Sequence, residues 1–145
     1  MIHFELESDR ELLGSAMEFA QNQVRRLVES RPDVSPMYTK GGVWKHDGPK
    51  WTNWCDGFLP GMMWIIYARQ PAGSPESRWW REQAIRYSRA LEPRKLDRNV
   101  HDLGFVFMSS YRRWFGFTPD PSLKAVLVEA ARRTDPDHPV ARSIR

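Results

Sequence analysis

Cysteine is nearly absent. Cys55 is the only one in 145 residues, so no internal disulfide can brace the chain. Taken alone, it is a small buried hydrophobe. The four histidines, His3, His46, His101 and His138, show no metal-ligand spacing with it, and no metal site is expected. Long apolar runs are missing too: nothing approaches the roughly 18 consecutive apolar residues that a membrane span requires. The opening stretch MIHFELESDRELL has no basic start followed by an apolar run, so it does not have the form of a signal peptide. These absences exclude a disulfide scaffold and give no support to a membrane partner. They leave the expectation of a soluble, cytoplasmic protein, and the length of 145 residues suits one domain.

What the chain has in quantity is aromatic side chains, with 7 Trp, 7 Phe and 4 Tyr. That exceeds what packing alone usually demands in a small domain. Aromatic faces stack on flat ligands, including sugar rings and bases, so the enrichment points to a binding cleft. The net charge is +4 and the sequence pI about 9.5. Such a balance raises nucleic acid as a partner. The basic residues are dispersed, however, and the densest local runs are pairs such as Arg25-Arg26, Arg112-Arg113 and Arg132-Arg133. Nucleic acid is therefore not expected, and a small anionic substrate suits the mild positive charge.

The periodicity is helical almost throughout. Ser8 to Glu11 reads as a capping box opening a helix. Leu12, Leu13, Ala16, Met17, Ala20, Val24, Leu27 and Val28 follow at three-and-four spacing on one face. Arg31-Pro32 ends that helix. Residues 32 to 56 read as a long loop, punctuated by Gly41-Gly42 and Gly48-Pro49 and carrying Tyr38, Trp44, Trp51 and Trp54. Those four aromatics are either packing against the helices or a sugar platform. Pro60 suits a helix start. Residues 62 to 67 are apolar all round, which predicts a helix buried on most sides, with Met62 and Met63 in the core. Ser74-Pro75 opens a helix to about Leu91. A further helix is expected over 102 to 116, using Leu103, Val106, Phe107, Ser110, Tyr111 and Trp114. Asp120-Pro121 opens the last, and Asp135-Pro136 closes it.

The order is thus a helix, a long loop, then helix–turn–helix twice, with pair starts near 58 and 102, about 44 residues apart. The fold class is all-α. Stacked helical hairpins of this size build an open solenoid or a closed ring. The fragments Asp56-Gly57-Phe58 and Asp102-Leu103-Gly104-Phe105 open the first helices of the two hairpins, and those starts share one edge where a cleft can form. Asp102 is either an N-cap or first-turn acid, favoured by the helix dipole, or a carboxylate at the cleft edge. Asp56 carries the same alternatives. His101 neighbours Asp102 in sequence, but adjacent residues do not share a helix face.

WTNWCDGFLPGMMWIIYA (51 to 68) and NVHDLGFVFMSSYRRW (99 to 114) resemble the unsaturated glucuronyl hydrolases, glycoside hydrolase family 88. In that family a Trp, Gly-Phe and Pro-Gly segment opens a buried helix, and a His-Asp-Leu-Gly-Phe segment opens a later one. SLKAVLVEAARR (122 to 133) resembles the next family helix, and the resemblance runs from about residue 10 onward. It implies a ring of six helical hairpins, the (α/α)6 barrel, of which residues 1–145 would be the N-terminal part of a catalytic domain. It implies substrates that are anionic oligosaccharides ending in an unsaturated uronic acid, released by polysaccharide lyases. Water adds across the C4–C5 double bond of a vinyl ether, and the hemiketal collapses to release the sugar. No metal or organic cofactor is implied.

Protonating an alkene carbon needs an acid still protonated near neutral pH, and a second carboxylate nearby helps to raise its pKa. By resemblance Asp102 is the catalytic carboxylate that holds sugar hydroxyls and tunes its partner. His101, Trp54, Trp51 and Asp56 are the implied substrate-binding residues, with Trp54 packing on the sugar. The family's main acid/base aspartate belongs to a later motif, which Asp135 and Asp137 do not resemble. Residues 1–145 by themselves are therefore expected not to hydrate the substrate. An incomplete ring is expected to expose apolar hairpin surface and to self-associate or pair with a complementing chain. The other reading of the same residues is a non-catalytic helical module that binds carbohydrate or protein.

Overall fold

Residues 58 to 69 are almost wholly apolar, and the helix they form packs against neighbours on several sides. The computed structural model describes residues 6–32, 34–46, 50–97 and 102–134. Two bodies are distinguished, Met1–Val34 and Ser35–Arg145.

The first body contains helix α1, Leu6–Ser30. It begins ahead of the predicted cap: Ser8 lies inside the helix, because Leu6 and Glu7 are good helix formers and carry the turn back past it. Its C-terminal turn closes as Pro32 requires, with Arg31 N donating to Leu27 O at 2.8 Å and Ser30 Oγ to Arg26 O at 2.6 Å. Arg25 and Glu29 pair at 3.3 Å one turn apart.

The second body starts with a hairpin in what reads from sequence as a plain loop. Strands β1 (Tyr38–Lys40) and β2 (Val43–Lys45) are antiparallel, with Thr39 opposite Trp44. Gly41 and Gly42 make the turn at φ 58° and 73°. A two-residue hairpin turn of this hand needs positive φ at both positions, which only glycine adopts without strain. A 3-10 helix, Lys50–Gly57, then runs directly into α2, Phe58–Arg69, so helical geometry begins well before Pro60.

Helix α3 is Pro75–Ala90. Its start is as expected: Ser74 Oγ accepts from Ser77 N at 3.0 Å, and Pro75 is the first helical residue. A 3-10 turn, Glu92–Leu96, follows. The single helix predicted over 102 to 116 is instead two, α4 (Leu103–Ser109) and α5 (Tyr111–Phe117). Ser110 between them sits at φ −105°, ψ −81°, and its buried hydroxyl donates to Val106 O at 2.6 Å. A serine that bonds the carbonyl one turn back bends a helix. Helix α6, Pro121–Thr134, is capped by Asp120, whose Oδ1 accepts from Ser122 N at 2.7 Å. The predicted stop at Asp135-Pro136 lies outside the described residues.

Helix α2 packs along α3 as a helical hairpin, and α4 and α5 both pack on α6. Trp64 of α2 is fully buried and joins the two pairs. Its indole N–H donates to Ser88 Oγ of α3 at 3.1 Å. Its ring stacks on Trp114 (6.0 Å, 24°) and Phe117 (5.5 Å, 20°) of α5. Met63 is likewise buried, but Met62 is not: it lies with Phe58 and Ile65 on an open apolar stripe. Helix α2 is therefore buried on most sides, as its all-round apolar sequence predicts, with this one stripe left open.

Glycines set how closely α2 meets α4. A Cβ on Gly57 would stand 2.2 Å from Val106 O and 2.6 Å from Phe105 O; one on Gly61 would stand 2.8 Å from Ser109 O. These are backbone atoms inside a helix and cannot swing aside. By contrast nothing lies within 4 Å of a Cβ built on Gly104. Gly57→Ala is expected to cost about 3 kcal/mol, the upper part of the usual overpacking range. Gly104→Ala should be neutral or slightly stabilising, since alanine is the better helix former. Urea unfolding of the two variants checks both; equal behaviour would contradict the close approach.

Candidate functional site

The Gly57 crossing sets the first turn of α2 beside the first turn of α4. Three aromatic side chains gather there. Trp54 lies on the 3-10 helix, Phe58 opens α2 and Phe105 is in the first turn of α4. Their ring centroids are 5.7 Å (Trp54–Phe58), 5.5 Å (Trp54–Phe105) and 6.0 Å (Phe58–Phe105) apart, all edge-on or tilted. All three are substantially exposed, at 40%, 38% and 50%. Edge-to-face packing fixes such rings relative to one another while leaving faces and edges open to a ligand.

Asp102 stands at the N-cap position of α4, half-buried, and Phe105 N donates to its backbone carbonyl at 3.0 Å. Its side chain does not make the capping bond to an α4 amide. The position is that of a cap, but the carboxylate is not spent on capping. His101 and the Trp51 side chain lie outside the described residues.

Asp56, the other carboxylate of this segment, is buried. Its Oδ2 accepts from Arg94 Nη1 at 2.8 Å, and His46 Nδ1 lies 3.7 Å from its Oδ1. Arg94 reaches across from the 3-10 turn after α3 and also stands 3.7 Å from Asp97 Oδ2. Burial pushes the Asp56 carboxyl above its ordinary value, while the Arg94 and His46 charges pull it down. Its described partners are thus protein groups, which makes Asp56 the anchor of the segment carrying Trp54. Cys55, beside it, has its thiol pushed up by burial first and by the Asp56 charge second, so it stays a protonated thiol.

Among the described residues no group of three His, Cys, Asp or Glu could hold a metal, and no helix is long and apolar enough to cross a membrane. Comparison with protein-family models, curated proteins and solved structures returned no match. The site must therefore be read from its own chemistry. It offers a rigid aromatic platform, one carboxylate at a helix start, and a second carboxylate tied to arginine. Sequence reasoning placed Trp54, Asp56 and Asp102 in this region and paired the Phe58 and Phe105 fragments. It missed Arg94, which lies 38 residues from Asp56 with no local pattern to mark it.

Removing Arg94 leaves a buried carboxylate without its main counter-charge. Arg94→Met should lower stability by about 3 kcal/mol at neutral pH, as for other broken buried pairs. The sign with pH follows from the folded-state pKa, which rises further in this variant. A raised carboxyl contributes stability that is present below its ordinary value near 3.8 and lost as pH climbs through the folded value. Arg94→Met should therefore recover stability relative to wild type as pH falls from neutral into the acid range, read by urea unfolding at each pH. A constant difference would contradict the pairing.

Proposed function

We propose that the edge where α2 and α4 begin is a saccharide-binding surface of the unsaturated glucuronyl hydrolase type, within an (α/α)6 ring of helical hairpins. The observation that carries the reading is the exposed Trp54–Phe58–Phe105 platform beside the Asp102 helix start. The two aligned hairpin starts support the ring architecture, and the sequence motifs at 51–68 and 99–114 support the family. Trp54 supplies a flat apolar face for a pyranose ring. Asp102 accepts hydrogen bonds from sugar hydroxyls, and the mild positive charge of the chain suits the uronate. Protonation of the alkene carbon falls to an acid of the family's later motif, with Asp102 tuning it. No cofactor takes part.

One observation favours a second reading, a non-catalytic binding module. Phe58, Met62 and Ile65 on α2, with Phe105 and Met108 on α4, form an apolar surface that helices of another chain could cover. Such a surface suits self-association or a complementing chain as well as it suits further hairpins.

Titration with an unsaturated chondroitin disaccharide and with its saturated counterpart separates the readings. The first should bind more tightly. Trp54→Ala should weaken binding about tenfold, the scale of one aromatic contact. Asp102→Asn should remove the preference for the unsaturated ring. Binding that ignores both substitutions, together with concentration-dependent mass in light scattering, would leave the module reading.

A further inference from the structure

A cleft of about 550 Å³ lies between α3 and α6 and over α5, and shares no lining residue with the aromatic edge. Its size suits a small ligand. One wall is a single face of α3: Arg81, Ile85 and Arg89, each one turn from the next. Ile85, Leu123 and Val126 give the cleft an apolar side.

The charged groups that face it are unequal in what they leave unsatisfied. Glu92 Oε1 accepts from Lys95 Nζ at 2.8 Å, and Oε2 accepts from the Tyr111 hydroxyl at 3.3 Å. Lys95 holds the Glu92 carboxyl below its ordinary value, and burial keeps Tyr111 a neutral phenol. Asp120 Oδ1 is turned onto Ser122, accepting from its backbone N at 2.7 Å and its hydroxyl at 2.6 Å. Arg81 and Arg89 are less engaged: neither forms an ion pair among the described residues, and the Arg89 charge only helps Lys95 to hold the Glu92 carboxyl down. The Arg89 guanidinium stands over the Trp114 ring at 5.6 Å, a contact that does not use its N–H donors.

We propose that this cleft binds a small ligand carrying an oxyanion on a flat or apolar body. Arg89 and Arg81 grip the oxyanion, carboxylate or phosphate, and the Ile85–Leu123–Val126 side takes the body. A guanidinium already held against an aromatic ring has less freedom to lose on binding, and its fork matches either oxyanion. The inference stands apart from the saccharide reading, since neither Trp54 nor Asp102 contributes.

Calorimetric titration with phenyl phosphate, benzoate, inorganic phosphate and phenol tests it. Phenyl phosphate should saturate one site, at least about tenfold more tightly than inorganic phosphate, and phenol should not bind measurably. Benzoate saturating the same site would extend it to carboxylates; benzoate failing would confine it to phosphates. Arg81→Gln and Arg89→Gln should each weaken phenyl phosphate about tenfold, with unchanged melting, whereas Arg112→Gln, on the exposed side of α5, should not. The proposal is overturned if phenyl phosphate fails to saturate the wild-type protein, if phenol binds as well as it does, or if Arg112→Gln weakens binding as much as Arg89→Gln.

Discussion

The contact on which the rest depends is the meeting of two backbones, Gly57 and Gly61 of one helical start against Phe105, Val106 and Ser109 of the other. Helices usually stand apart by the width of their side chains. Here one partner has none, so the axes approach until main-chain atoms touch. The approach has two results. It puts Phe58 and Phe105 side by side at the helix starts, with Trp54 closing the triangle. It also brings α2 near enough to α5 for Trp64 to stack on Trp114 and Phe117 while still reaching Ser88 on α3. A methyl group at Gly57 would separate the platform and the core together.

A division of labour between two carboxylates follows from their surroundings. Asp56 and Asp102 occupy matching places at the two hairpin starts, yet they are used differently. Asp56 is buried and tied to Arg94, so its charge is taken up by the protein. Asp102 keeps its cap position without closing the cap. In the proposed saccharide reading Asp102 is the carboxylate that meets the ligand, while Asp56, tied to Arg94, holds the aromatic segment.

The helices were legible in the sequence because their signals are local. Ser74-Pro75 and Asp120-Pro121 mark starts through groups two or three residues away. The matched aspartate–glycine–phenylalanine fragments pointed to the shared edge for the same reason. The errors had physical causes of other kinds. Ser110 breaks a helix through a hydroxyl bond that periodicity does not register. Gly41-Gly42 marks a hairpin, but the flanking strands are only three residues each and lack alternation. Met62 follows the apolar pattern of its neighbours and still faces outward, because an apolar run says a face wants cover without saying that it has it. Arg94 and the paired arginines of α3 depend on contacts between distant segments, which no single-chain pattern contains.

The Arg94–Asp56 pair has one more consequence, for chain topology. Asp56 lies just before α2 and Arg94 just after α3, so the pair fastens the two ends of one helical hairpin to each other. The chain between them, a separation of 38 positions, becomes a closed loop, joined by charge rather than by a covalent bond. Closing a loop once is entropically costly, but the cost grows only slowly with its length. So sealed, the open end of the hairpin cannot part unless the buried Arg94–Asp56 pair is broken.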